Sequence, residues 1–266
     1  FLGMSLGEFI LPVLIVYLLS FIYWRDLWII ISVIIILSLP IICFFTVKNI
    51  SIFSREKNDG NKNDNYNLIK NWTRKEVLKD YKFYTILPCL LASPFVITGI
   101  VINQSFILES KNWGDYVIAK AFMSYSFFTV ITLFLSGFLV DKFTSRKLLF
   151  YLNLPMILSL IIIVLSDHSF SAFIFMGLLG ITNGLANVII SSLWAEIYGV
   201  NYLGSIKALT VSLIVFSTAF ATAVFGILID YGHSIENISI FCLIYTVIST
   251  ALIFFFRNSY KPVIIK

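Results

Sequence analysis

The 266-residue chain is 59% hydrophobic and only 12% charged, with a mean hydropathy of +0.94. Soluble domains carry about 45–50% apolar and about 25% charged residues. This excludes a soluble enzyme, a nucleic-acid-binding protein and a disordered chain, in spite of a net charge of +5.

Eight apolar runs predict eight membrane-spanning helices, over 1–23, 27–47, 84–108, 116–139, 148–166, 170–193, 207–229 and 237–256. A crossing needs about 20 apolar residues at ~1.5 Å each. No run shows the ~10-residue alternation of a barrel strand, and a backbone in hydrocarbon must satisfy its own hydrogen bonds. The predicted class is therefore all-α and polytopic. The first run begins Phe1-Leu2-Gly3, with no initiator Met and no basic leader. It reads as a helix entered part-way rather than a signal peptide, and the sequence as a fragment. Pro12, Pro40, Pro88, Pro94 and Pro155 fall within or near the ends of spans, where kinks or broken turns are expected. Cys43, Cys89 and Cys242 sit inside apolar runs without the spacing of a disulfide framework or a zinc site.

Between the second and third runs lies the long polar stretch 48–83, centred on Asn58-Asp59-Gly60-Asn61. It reads as a flexible tether, followed by a short amphipathic piece around Trp72–Lys82 expected to lie on the membrane surface. Lys and Arg on alternate connections set the orientation. The side holding 48–83, 140–147, 194–207 and the tail 257–266 carries sixteen, whereas the other side carries Arg25 and Lys111. The linker and the C-terminus are thus expected in the cytoplasm.

Ionisable and amide groups inside spans are costly and are functional candidates by default. Glu8 falls near the cytoplasmic end of its run, as a proton site or as the partner of a loop or helix end. Lys120 lies little more than one turn from the outer side, where it can snorkel to water or meet an anionic solute. Asn103, Gln104, Asn183 and Asn187 are neutral hydrogen-bonding groups in apolar runs, the last two on one helical face. Each suits either interhelical contact or solute contact. Small-residue faces at Gly177, Gly180 and Gly184, and at Ala219, Ala223 and Gly226, are expected to let the last six helices pack. No phosphate loop, metal-ligand cluster or catalytic triad appears in the sequence, and the reading includes no enzyme activity, cofactor, metal or nucleic acid.

The most specific motif is Gly137-Phe138-Leu139-Val140-Asp141-Lys142-Phe143-Thr144-Ser145-Arg146-Lys147. It resembles the loop signature of the major facilitator superfamily, Gly-x-Leu-x-Asp-Arg-x-Gly-Arg-Lys. Gly137, Leu139 and Asp141 match, Lys142 stands in for Arg, Thr144 stands where the pattern has its second glycine, and Arg146 and Lys147 supply its basic pair one residue later. The glycine would let two helices approach, and Asp141 would accept bonds from a helix N-terminus. Leu193-Trp194-Ala195-Glu196-Ile197-Tyr198-Gly199 and Lys111-Asn112-Trp113 are similar to segments of a bacterial branch of that superfamily.

The resemblance implies helices five to twelve of a twelve-helix fold. Residues 1–47 would be the last two helices of the N-terminal bundle, 48–83 the linker, and 84–266 the C-terminal six-helix bundle with a short tail. It further implies a secondary transporter in the bacterial inner membrane, carrying a small solute by alternating access, with protons as a candidate coupling ion. The fragment alone is expected not to transport. The competing reading is a membrane receptor or scaffold that retains the fold.

Overall fold

The computed structural model describes residues 17–53, 70–114 and 116–260, with Gly7, Leu11, Leu14 and Ile15 ahead of them. Its helices are α1 (Trp24–Phe53), α2 (Arg74–Val77), α3 (Tyr81–Ile102), α4 (Gln104–Lys111), α5 (Tyr116–Phe143), α6 (Ser145–Leu148), α7 (Leu154–Leu165), α8 (Ser171–Tyr198), α9 (Leu203–Asp230) and α10 (Ile235–Phe255), with short 3-10 turns at Leu149–Tyr151 and Arg257–Ser259.

Six spans among the described residues are long and apolar enough to cross a membrane: α3, α5, the continuous stretch Ser145–Leu165, α8, α9 and α10. They correspond to the last six predicted runs. α1 coincides with the run 27–47 but extends six residues beyond it. Most of the run 1–23, including Glu8, lies outside the described residues. Two boundaries move for local reasons. Helix α3 starts at Tyr81 rather than 84, because Asp80 accepts a hydrogen bond from the Lys82 amide as its N-cap. The run 84–108 is two helices, broken at Asn103, whose φ of −100° and ψ of 29° leave the helical region.

The described prolines do not end their helices, and Pro12 lies outside the described residues. α3 runs through Pro88 and Pro94, and Pro155 sits in the first turn of α7, where its missing N–H costs nothing. Three carbonyls between the two α3 prolines, or on the first of them, accept bonds from other elements. Tyr245 Oη donates to Pro88 at 2.9 Å, Asn153 Nδ2 to Cys89 at 3.1 Å, and Ser217 Oγ to Leu91 at 3.2 Å. These bonds tie the proline-bearing stretch of α3 to its neighbours; the carbonyls that lose their in-helix donor to Pro88 and Pro94 are those of Tyr84 and Leu90.

α5 packs lengthwise on α8, α9 on α3, and α10 on both α7 and α3. The α5–α8 contact is close because its α8 side is glycine. An added Cβ on Gly180 would stand 2.1 Å from the Tyr125 carbonyl oxygen, and one on Gly184 would stand 2.9 Å from that of Thr129. Thr129 Oγ1 then reaches across to Gly180 O at 3.1 Å. The second small-residue face behaves differently. Ala219 and Ala223 are exposed and a Cβ on Gly226 would touch nothing, so this face does not pack the six helices together. α9 is held instead through the face of Ile206, Thr210, Ser217, Ala221 and Phe225, which is buried.

Candidate functional site

The loop 137–147 joins α5 to α6 in a tight turn. Thr144 there adopts φ +70° and ψ 145°, backbone that glycine takes freely and a β-branched residue does not. The turn that the signature's glycine would make is kept, at a conformational cost. Thr144→Gly should therefore raise stability by about 1 kcal/mol, read as a higher unfolding midpoint in detergent; a lower one would mean that the threonine side chain holds the turn.

The N-terminus of α6 is capped from 50 residues away. Glu196, in the last turn of α8, accepts from the Ser145 amide at 2.7 Å, from the Arg146 amide at 3.3 Å and from Arg146 Nε at 3.3 Å. The Ser145 and Ser192 hydroxyls also meet, and Arg146 donates to the Tyr260 carbonyl at 3.4 Å. Charge on a helix start and a charge-assisted ion pair reinforce each other here.

Asp141, expected to accept from a helix N-terminus, does not cap α6. It is exposed and has no hydrogen bond or ion pair with any described residue. Lys142 is exposed with its ammonium over the Phe143 ring. Gly137 has open space where a Cβ would stand, so no described helix approaches it. Leu139 and Lys147 border a cleft toward α10.

Residues 70–80 form a folded part of the same end. Thr73 and Glu76 make a capping box, Lys70 pairs with Glu76 at 3.1 Å, and Asn71 Oδ1 accepts from the amides of Val200 and Asn201. The Trp72 amide donates to Tyr198 O at 3.0 Å, while the rings of Trp72 and Tyr198 meet edge to face. Gly199 accommodates this with φ +80°, since a Cβ would lie 2.5 Å from Asn71 Oδ1. The segment expected on the membrane surface is thus docked on the end of α8, because its polar groups find backbone partners there. Hydrogen bonds from the Thr73 backbone and hydroxyl, then from Lys70, hold the Glu76 carboxyl down at about 2.

The amide candidates divide. Asn183 and Asn187 do share a face of α8, with Asn187 Nδ2 donating to Asn183 O at 3.0 Å. Asn187 opens on a cavity of about 370 Å³ between α8 and α9, together with Ser191, Trp194, Lys207 and Thr210. Lys207 is the cation of that cavity, a residue not among the expected pathway groups. Asn103 bonds back to Gly99 O at 2.9 Å, and Gln104 begins α4; neither lines the cavity. Lys120 is exposed near the start of α5.

At the opposite end of the bundle, Lys111 is buried, with 1% of its side chain exposed. Its Nζ meets Asp167 Oδ1 at 2.5 Å and Glu236 Oε1 at 2.7 Å, while Trp113 Nε1 donates to Asp167 O at 2.7 Å. Burial alone would lower the lysine's pKa, but the hydrogen bonds to Asp167 and Glu236 outweigh it and raise the pKa above the usual range. One buried cation thereby fastens α4 to the α7–α8 connection and to the start of α10. Among the described residues no group of three His, Cys, Asp or Glu side chains could hold a metal ion.

Six membrane-length helices with a capped, basic loop at one end fit a multi-pass membrane protein of the transporter class. The family model described as Major Facilitator Superfamily matches residues 84–264, and the chain belongs to that superfamily. It is a transporter and not an enzyme. No curated protein matches the chain.

Proposed function

We propose that this protein is a secondary transporter that moves a small solute by alternating access, driven by a solute or proton gradient. The linker and the C-terminus face the cytoplasm in this reading, and the bilayer is the bacterial inner membrane. The excess of sixteen basic residues over two on the end that carries loop 140–147 supports that orientation. The solute path runs along α8 and α9, where Asn187 and Lys207 offer amide and cationic contacts in the cavity of about 370 Å³ and Asn183 continues the same face of α8 one turn away. Glu8, Asn103, Gln104 and Lys120 remain candidates for other stretches of the path or for proton transfer.

The observation that carries the reading is the free carboxylate of Asp141. Its neighbours Ser145 and Arg146 are satisfied by Glu196 within the bundle, whereas Asp141 has no described partner and stays exposed. A carboxylate held in that position can bind a helix end of a second bundle in one conformation and release it in the other. Asp141→Asn keeps the size and loses the charge-assisted bonds.

The test is uptake into proteoliposomes of full-length protein, screened with labelled sugars, amino acids and organic anions under an imposed pH gradient. Wild-type protein should accumulate one class. Asp141→Asn should lower the rate by about tenfold or more, corresponding to one charge-assisted bond, with an unchanged unfolding midpoint. Wild-type flux in the variant would remove the latch role, and no flux for any solute would favour a receptor.

A further inference from the structure

A second cleft, of about 420 Å³, opens between the end of α5, the turn after α6 and the end of α10. Neither α3 nor α9 contributes to it, and it shares no residue with the cavity that Asn187 lines. Leu139, Phe143, Leu148 and Phe254 make its walls apolar, and two cations, Lys147 and Arg257, stand among them. No acidic residue lines it.

The two cations come from elements 110 residues apart in sequence, and neither forms an ion pair with a described residue. Arg257 is held in place over the Phe150 ring, 5.8 Å from its centroid. The adjacent Arg146, by contrast, is neutralised by Glu196. The cleft lies where the membrane-length helices α5 and α10 end, at Phe143 and Phe255, beside the charged last turn of α5 at Asp141 and Lys142. Hydrocarbon and the polar headgroup layer therefore meet at its mouth.

We infer that this cleft binds one anionic phospholipid, with an acyl chain against Leu139, Phe143 and Phe254 and the headgroup phosphate between Lys147 and Arg257. The chemistry selects that ligand over a free phosphate or a soluble anion. A soluble anion would use the two cations and leave the apolar walls wet. A zwitterionic lipid would fill the walls but bring its own cation up to Lys147 and Arg257. Basic pockets between helices at the membrane surface recognise anionic headgroups on these grounds.

Native mass spectrometry of the detergent-solubilised chain tests this with dioleoyl phosphatidylglycerol, dioleoyl phosphatidylcholine and glycerol 3-phosphate as the probes. The wild-type chain should retain one phosphatidylglycerol about tenfold more tightly than phosphatidylcholine, and glycerol 3-phosphate should not displace it. Lys147→Gln with Arg257→Gln should lower retention by about tenfold or more, at roughly one kcal/mol for each cation. Leu139→Trp, which fills the cleft and leaves both charges, should lower it as well. Lys75→Gln with Lys79→Gln removes two exposed cations elsewhere on the same end and should change nothing. Equal retention of both lipids, displacement by glycerol 3-phosphate, wild-type retention in Leu139→Trp, or an equal loss in the Lys75/Lys79 variant would each overturn the site.

Discussion

Gly180→Ala should be the most damaging single methyl in the bundle. Its Cβ would stand 2.1 Å from the Tyr125 carbonyl oxygen and 2.9 Å from the Tyr125 carbonyl carbon. Both are backbone atoms, so no side chain can swing aside, and α5 must separate from α8 along their shared length. The same shift stretches the bond from Thr129 Oγ1 to Gly180 O, now 3.1 Å. Overpacking of this kind costs about 3 kcal/mol, in a contact where close approach itself drives helix association. The matched control is Gly226→Ala, whose Cβ meets open space and gains helix propensity. Unfolding midpoints in detergent should fall sharply for the first variant and hold or rise for the second. Equal midpoints would mean that α5 and α8 do not touch as described.

The second large effect is expected at Glu196. Its carboxylate serves two backbone amides of α6 and the Arg146 guanidinium at once, with the two side chains 29% and 20% exposed. Glu196→Gln keeps the shape but removes the charge and one accepting oxygen. The start of α6 and the arginine then lose charge-assisted partners worth about 2 kcal/mol together. Hydrogen exchange should accelerate at the Ser145 and Arg146 amides before it does in α5 or α8. Arg146→Gln should cost less, because both backbone amides keep their acceptor. Identical exchange in wild type and Glu196→Gln would show that another group caps α6. Asp141→Asn, in contrast, should leave exchange across the loop unchanged while slowing transport.

Much of this architecture is legible in the amino acids, for one physical reason. Hydrocarbon leaves a spanning backbone only its own groups to bond with, so run length alone locates α5, α8, α9 and α10 to within about five residues, but it merges α3 with α4. The signature's spacing likewise pointed to the loop at the end of α5. What the sequence did not reveal depends on which surfaces meet. Gly177, Gly180 and Gly184 look the same on paper as Ala219, Ala223 and Gly226, yet the first set is packed against α5 whereas Ala219 and Ala223 are exposed and Gly226 faces open space. Glu196 was visible as part of a family-like segment, but its task depends on α6 lying against the end of α8. The docked segment before α3 had a readable sign in Thr73-x-x-Glu76, a capping box in a piece otherwise expected to lie on the membrane surface. Asn71 had none, because its partners lie more than 125 residues away.

The bond between Asn71 and the turn at Gly199 also fixes where mechanical load enters the bundle. Chain tension that arrives ahead of Lys70 meets the Asn71 and Trp72 bonds to residues 198–201 before it reaches Tyr81. The strain is therefore delivered to the tail of α8, one turn from Glu196 and in line with Asn187 and Asn183, and α3 is shielded from it. A pull applied at Lys70 is therefore carried by one particular helix.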